Sequence, residues 1–168
     1  MTTPQRPTRY DDATHIKAAQ LFLKHIGMPE NNDEDLVSIG KALSEPKAFA
    51  RATELSDLAF DMTDDLLLDV LNHDFCDLAL DQQIKSWVLN ARVKARQKIG
   101  DVVSFEHKGS KVDGEIINID PTAAKYTIYV ESLGHVKAGV GTLGLIVQFE
   151  TIHELSRPAD EFELEMAI

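Results

Sequence analysis

The fold is decided by the run Lys98-Ile99-Gly100-Asp101-Val102-Val103-Ser104-Phe105-Glu106-His107-Lys108-Gly109-Ser110. Upstream of Gly100, apolar residues recur every three or four positions, the period of a helix; downstream they alternate with polar ones, the period of a strand. The alternation predicts a first strand over 101–107, a turn at Lys108-Gly109-Ser110 and a second strand over 112–119. Asp120-Pro121-Thr122 interrupts, Tyr126 to Glu131 predicts a third strand, and Leu145 to Ile152 a later one. Short strands in close succession with no helix between them imply an antiparallel barrel or rolled sheet.

Working back from Gly100, the chain reads as helices. Asp11 or Asp12 is placed to accept the first free amide hydrogens of a helix whose inner face holds Ile16, Ala19, Leu23 and Ile26, with Gly27 and Pro29 ending it. Asn32 caps a second helix with acids in its first turn and Leu36, Ile39 and Leu43 inside. Ser44-Glu45-Pro46 restarts the chain, and a third helix is predicted near 46–61 with Phe49, Ala52, Leu55, Leu58 and Ala59 on its inner face. Thr63-Asp64-Asp65 opens the next, where Leu67, Leu71, Phe75 and Leu78 form one apolar stripe. A last helix is predicted over 81–98, with Ile84, Trp87, Val88, Ala91 and Ala95 inside. No glycine or proline interrupts 63–98, so one bent helix and two helices fit equally. The expected fold is therefore α+β: an N-terminal helical bundle over 11–99 followed by a small antiparallel β-barrel over 100–157. A flexible lead-in (1–10, with Pro4 and Pro7) and an acidic tail (158–168) flank them.

An apolar fraction of 43% and a charged fraction of 27% belong to a globular chain rather than a disordered one. The longest apolar runs, such as Leu66-Leu67-Leu68 and Leu145-Ile146-Val147, are too short for a membrane span, and Met1-Thr2-Thr3-Pro4 does not open a secretory signal. The single cysteine, Cys76, excludes an internal disulfide and suits a reducing, cytoplasmic setting. The net charge of −11 argues against a general nucleic-acid coat, but it is unevenly spread. Residues 11–81 hold sixteen acids and five bases, whereas 82–99 hold Lys85, Arg92, Lys94, Arg96 and Lys98 and no acid.

Ile99-Gly100-Asp101-Val102-Val103-Ser104-Phe105, followed by Gly109, Gly114 and Ile116-Ile117, resembles the opening of SH3-like barrels of the KOW or Tudor type. Those begin with a Gly-Asp turn, a first strand, a glycine turn and a second strand with a glycine near its start. The resemblance covers residues 100–156 and implies a module of a kind that usually binds proteins or nucleic acids and rarely catalyses. No family resemblance is read in the helical part.

Catalytic and cofactor patterns are weak by comparison. Gly139-Val140-Gly141-Thr142-Leu143-Gly144 matches G-x-G-x-x-G, yet a strand follows it where a dinucleotide fold needs a helix, so a glycine-rich hairpin connection is expected. His73-Asp74 is the dipeptide that pairs ligands in HD-type metal phosphohydrolases, but six histidines and sixteen aspartates yield about 0.6 such pairs by chance. That family needs a further histidine and aspartate, for which His25 and Asp81 can be nominated with no local pattern to select them. Asp65, Asp69, His73, Asp77 and Asp81 step by four, which would set Asp69 and Asp77 either side of His73 on one helix. A hard metal would want more oxygen ligands and zinc another nitrogen or sulfur, so a solvated acidic face with an embedded histidine is the expected reading of that ladder. Cys76 beside an apolar stripe amid acids is a poor nucleophile. No catalytic residue, cofactor or metal site is therefore expected, and the chain is not read as an enzyme.

The basic segment is the stronger lead. At 100° per residue, Lys85, Arg92 and Arg96 fall within about 40° of one another on a helix over 85–98. They form a ridge for phosphates, for an acidic protein, or for the acidic helices of the same bundle. The tail offers Phe162 and Leu164 between acids as a second docking element. The expected function is a non-catalytic binding or adaptor protein within a larger macromolecular assembly, in keeping with a phage or plasmid accessory protein, and its expected partner is a protein. Two alternatives stand beside it: a nucleic-acid-associated regulator using Lys85, Arg92 and Arg96, and an acidic inhibitor occupying a partner's basic groove. Oligomeric state leaves no trace in the sequence.

Overall fold

The computed structural model describes residues 5–30, 32–133 and 144–152, and the backbone of 154–157. The fold is α+β, a helical part followed by an antiparallel sheet. Two compact units divide at Trp87 and Val88, upstream of the change from helix to strand.

Helical order in the first unit follows from caps and apolar spacing. Helix α1 covers Asp12–His25. Asp11 occupies its cap position, but the carboxylate turns back to accept from the Thr8 amide and hydroxyl rather than from the helix. Helix α2, Asp33–Ser44, is capped as expected, the Asp35 amide donating to the Asn32 side chain at 3.0 Å. Leu36, Ile39 and Leu43 are buried on its inner face. The α1–α2 crossing is close because Gly40 has no side chain: a Cβ there would stand 2.1 Å from the His15 carbonyl oxygen. Phe22 is fully buried and meets the edges of Phe60 and Phe75, each ring 5.5 Å away.

The third helix departs from expectation. Helix α3 covers only Ala48–Asp57, and Phe49 is 72% exposed. Leu55 is at the centre of the buried face and Phe49 lies about 120° from it at 100° per residue, so both cannot point inward. Arg51 takes the inner position instead, and Leu58 and Ala59 fall in the terminal turn, exposed. Thr63 caps α4, Asp64–Asn72, as its sequence implies. Of the two alternatives for residues 63–98 the structure has two helices, but the second does not reach 98: α4 stops at Asn72 and α5 covers Phe75–Asn90. His73 between them is extended (φ −117°, ψ 129°), and this break dissolves the predicted stripe, leaving Leu78 exposed.

In the second unit the strands are β1 Val102–His107, β2 Ser110–Asp120, β3 Lys125–Tyr129, β4 Leu145–Gln148 and β5 Glu154–Arg157. They form one antiparallel sheet of order β4-β3-β2-β1-β5, curled into a half-barrel. Lys108 and Gly109 both have positive φ (49° and 76°), the backbone of a two-residue turn whose twist matches the strands it joins. Inward residues Val103, Phe105, Ile116, Tyr126, Ile128, Val130 and Val147 make the core. Gly114 lets β2 pass close to β3, since a Cβ there would lie 2.7 Å from the Tyr129 carbonyl oxygen. The 95–98 segment belongs to this unit: Ala95 packs on the core, and the Tyr126 hydroxyl accepts from the Arg96 and Gln97 amides and donates to the Gln97 side chain.

Candidate functional site

The break after α4 builds the one compact group of metal-ligating side chains among the described residues. Helix α4 brings Asp69 in its last turn, His73 closes the helix, and α1 ends at His25. One ligand atom from each of His25, Asp69 and His73 lies within 4.8 Å of the other two. His25 Nε2 stands 3.2 Å from Asp69 Oδ2, and the two imidazole rings are 5.2 Å apart. His73 Nδ1 lies 3.1 Å from the Asp69 carbonyl oxygen. A carbonyl only accepts, so Nδ1 carries the hydrogen and Nε2 is the nitrogen left to ligate. Buried Phe75 places its ring 5.5 Å from His25 and 5.7 Å from His73, giving both imidazoles a wall to lean on.

The neighbouring residue does something different. Asp74 Oδ1 accepts from the Asp77 amide and so caps α5, while Oδ2 accepts from Arg9 at 3.1 Å and from Arg51 at 2.9 Å. Arg9 also pairs with Asp77 and donates to the Ser44 carbonyl, which ties residues of the N-terminal lead-in to the bundle. Burial pushes the Asp74 carboxyl up, but the Arg9 bond, the Asp77 amide and the two guanidinium charges outweigh it and hold the group below the ordinary aspartate range. His73 and Asp74 therefore act as the end of one helix and the start of the next, in separate clusters. The four-residue ladder is broken too, since Asp69 joins the histidines and Asp77 joins Arg9.

Cys76 is fully buried, and desolvation lifts its thiol to about 11, against any role as a nucleophile. A surface cleft of the helical unit, lined by Met28, Asp35, Ser38, Ile39, Leu58, Ala59 and Phe60, holds none of the His25, Asp69 and His73 side chains.

The basic ridge does not exist as a helical face. Helix α5 ends at Asn90; the Val93 amide donates to the Val88 carbonyl at 3.0 Å, and Arg92 sits at φ 52°. This is the Schellman close, in which one left-handed residue ends the helix. Lys85 remains on α5, bonded to Asp81 at 2.6 Å, while Arg92 and Arg96 fall in the second unit, where the Arg96 amide donates to Tyr126. Phe162 and Leu164, and Gly139 to Leu143 of the glycine run, lie outside the described residues; Gly144 leads directly into β4.

His25 is the residue that sequence reasoning could nominate but not place. It is one of six histidines, and its partners lie more than forty positions on, so only the packing of α1 beside the end of α4 joins them. Among the described residues no helix is long and apolar enough to cross a membrane. Compared with family descriptions, curated proteins and solved structures, the chain has no match.

Proposed function

We propose that the chain is a non-catalytic binding or adaptor protein that takes its place in a larger assembly by presenting the edge of its sheet to an extended segment of a partner protein. The observation that carries this reading is β4. It stands at the end of the sheet, pairs with β3 on one side, and among the described residues has no strand on the other. Val147 faces the core, and Ile146 between its apolar neighbours is 71% exposed. An edge of this kind offers unpaired main-chain groups and an apolar side chain to an incoming strand, the common mode of peptide capture by sheets. The SH3-like reading of residues 100–156 rests on the same topology, with a meander of four strands and a fifth that returns beside the first after a 3-10 turn at Phe149–Thr151.

Capture of partners by the full chain, with and without nuclease, tests the proposal. The expected result is a protein partner retained after nuclease and lost with Ile146→Lys, whose melting temperature stays that of the parent because the side chain is exposed. Tight, salt-sensitive binding of the purified chain to DNA or RNA would overturn it in favour of the nucleic-acid reading.

A further inference from the structure

We propose that His25, Asp69 and His73 bind a single transition-metal dication of the zinc class. Two imidazoles and one carboxylate suit Zn²⁺ or Co²⁺, whereas Mg²⁺ and Ca²⁺ want shells of oxygen. The spacing fits the smaller, tetrahedral ion. Ligands about 2.0–2.1 Å from a tetrahedral zinc stand about 3.3–3.4 Å apart. His25 Nε2 and Asp69 Oδ2 are already 3.2 Å apart, and His73 offers a ligand atom within 4.8 Å of both, so a small shift of the exposed imidazole rings closes the triangle.

Four features prepare the site for a cation. The hydrogen bond from His73 Nδ1 to the Asp69 carbonyl sets the tautomer that frees Nε2, as the outer hydrogen bonds of metal-ligating histidines do. The C-terminal ends of α1 and α4 both lie at the cluster, and helix C-termini carry partial negative charge. Asp69 has no lysine or arginine partner among the described residues, unlike Asp74, whose carboxylate two arginines already neutralise. Phe75 holds the rings on a buried support, so the donors need little reordering.

Three protein ligands leave a fourth position for water or a partner's side chain. The ion would tie the end of α1 to the end of α4, elements far apart in sequence, so binding also stabilises the fold. The inference stands apart from the adaptor reading, because it concerns the helical unit and is read out by metal and heat alone.

The test uses the full chain without an affinity tag, stripped of metal and titrated with Co²⁺ under visible absorption, with Zn²⁺ stoichiometry from equilibrium dialysis. The expected result is one ion per chain, the intense visible bands of low-coordinate cobalt, and a melting temperature raised by about 5 °C or more at saturation. His25→Gln, Asp69→Asn and His73→Gln should each weaken binding by about tenfold or more. Helical circular dichroism confirms that each variant is folded, and any two folded variants suffice. No saturable uptake would overturn the proposal, and so would uptake that survives the folded variants, since it would place the ion on other histidines.

Discussion

Asp74 carries more of the helical unit than one exposed acid would. One oxygen caps α5 through the Asp77 amide, and the other receives Arg9 and the almost wholly buried Arg51. An arginine buried without its carboxylate is costly, so Asp74→Asn, which keeps a competent cap, should still lose about 2–3 kcal/mol at neutral pH. The pH dependence has a definite sign. Because the folded carboxyl is held below its ordinary value, its contribution is complete above about pH 4, the unfolded value, and is lost as pH falls through the folded one. Urea unfolding across pH 2–7 should show the acid limb flattened in Asp74→Asn; an unchanged limb would mean that the pair contributes nothing. None of this was legible in His73-Asp74 as a dipeptide, since a capping aspartate and a metal-binding one look alike until their neighbours are known.

Helix ends separate the legible from the illegible at the next scale. Helices α1, α3 and α5 close with the same pair of bonds around a left-handed residue: Gly27 (φ 72°), Ala59 (φ 66°) and Arg92 (φ 52°). The glycine announces itself in the sequence, and the end of α1 is anticipated there. Alanine and arginine do not, so the third helix is expected to reach 61 and the last to reach 98, and with the overrun goes the basic ridge. Arg92→Gly discriminates sharply. In a continuous helix it would cost about 1 kcal/mol. At a left-handed closing position it should stabilise by about 1 kcal/mol, because glycine adopts that conformation without steric cost. A shift of the thermal or urea midpoint upward is the expected result, and a shift downward would restore the longer helix.

At the scale of the molecule, the division at Trp87 and Val88 gives the second unit a piece of chain that the strand pattern alone would leave to the helices. The Tyr126 hydroxyl makes three hydrogen bonds to Arg96 and Gln97, and Ala95 covers the core. A fragment of residues 88–168 should therefore give a cooperative β-type unfolding transition, and one of residues 99–168 should be weaker by about 3 kcal/mol, near 1 kcal/mol for each lost bond. Equal stability of the two fragments would show that residues 88–98 are not part of the sheet unit. Circular dichroism with urea titration measures both.

By itself the sequence determined what depends on near neighbours. Apolar period told the helices from the strands that begin past Gly100, although the last helix closes at Asn90, ten residues before that glycine; Asn32 and Thr63 announced their caps, and Lys108-Gly109 announced its turn, because each involves atoms only a few residues apart. Tertiary structure alone decided which residue fills a contested inner position, as Arg51 does in place of Phe49, and which ends of helices meet. The grouping of His25 with Asp69 and His73 is of that second kind. Contacts across more than forty residues depend on how whole faces close on one another, and no local pattern in the chain encodes that closure.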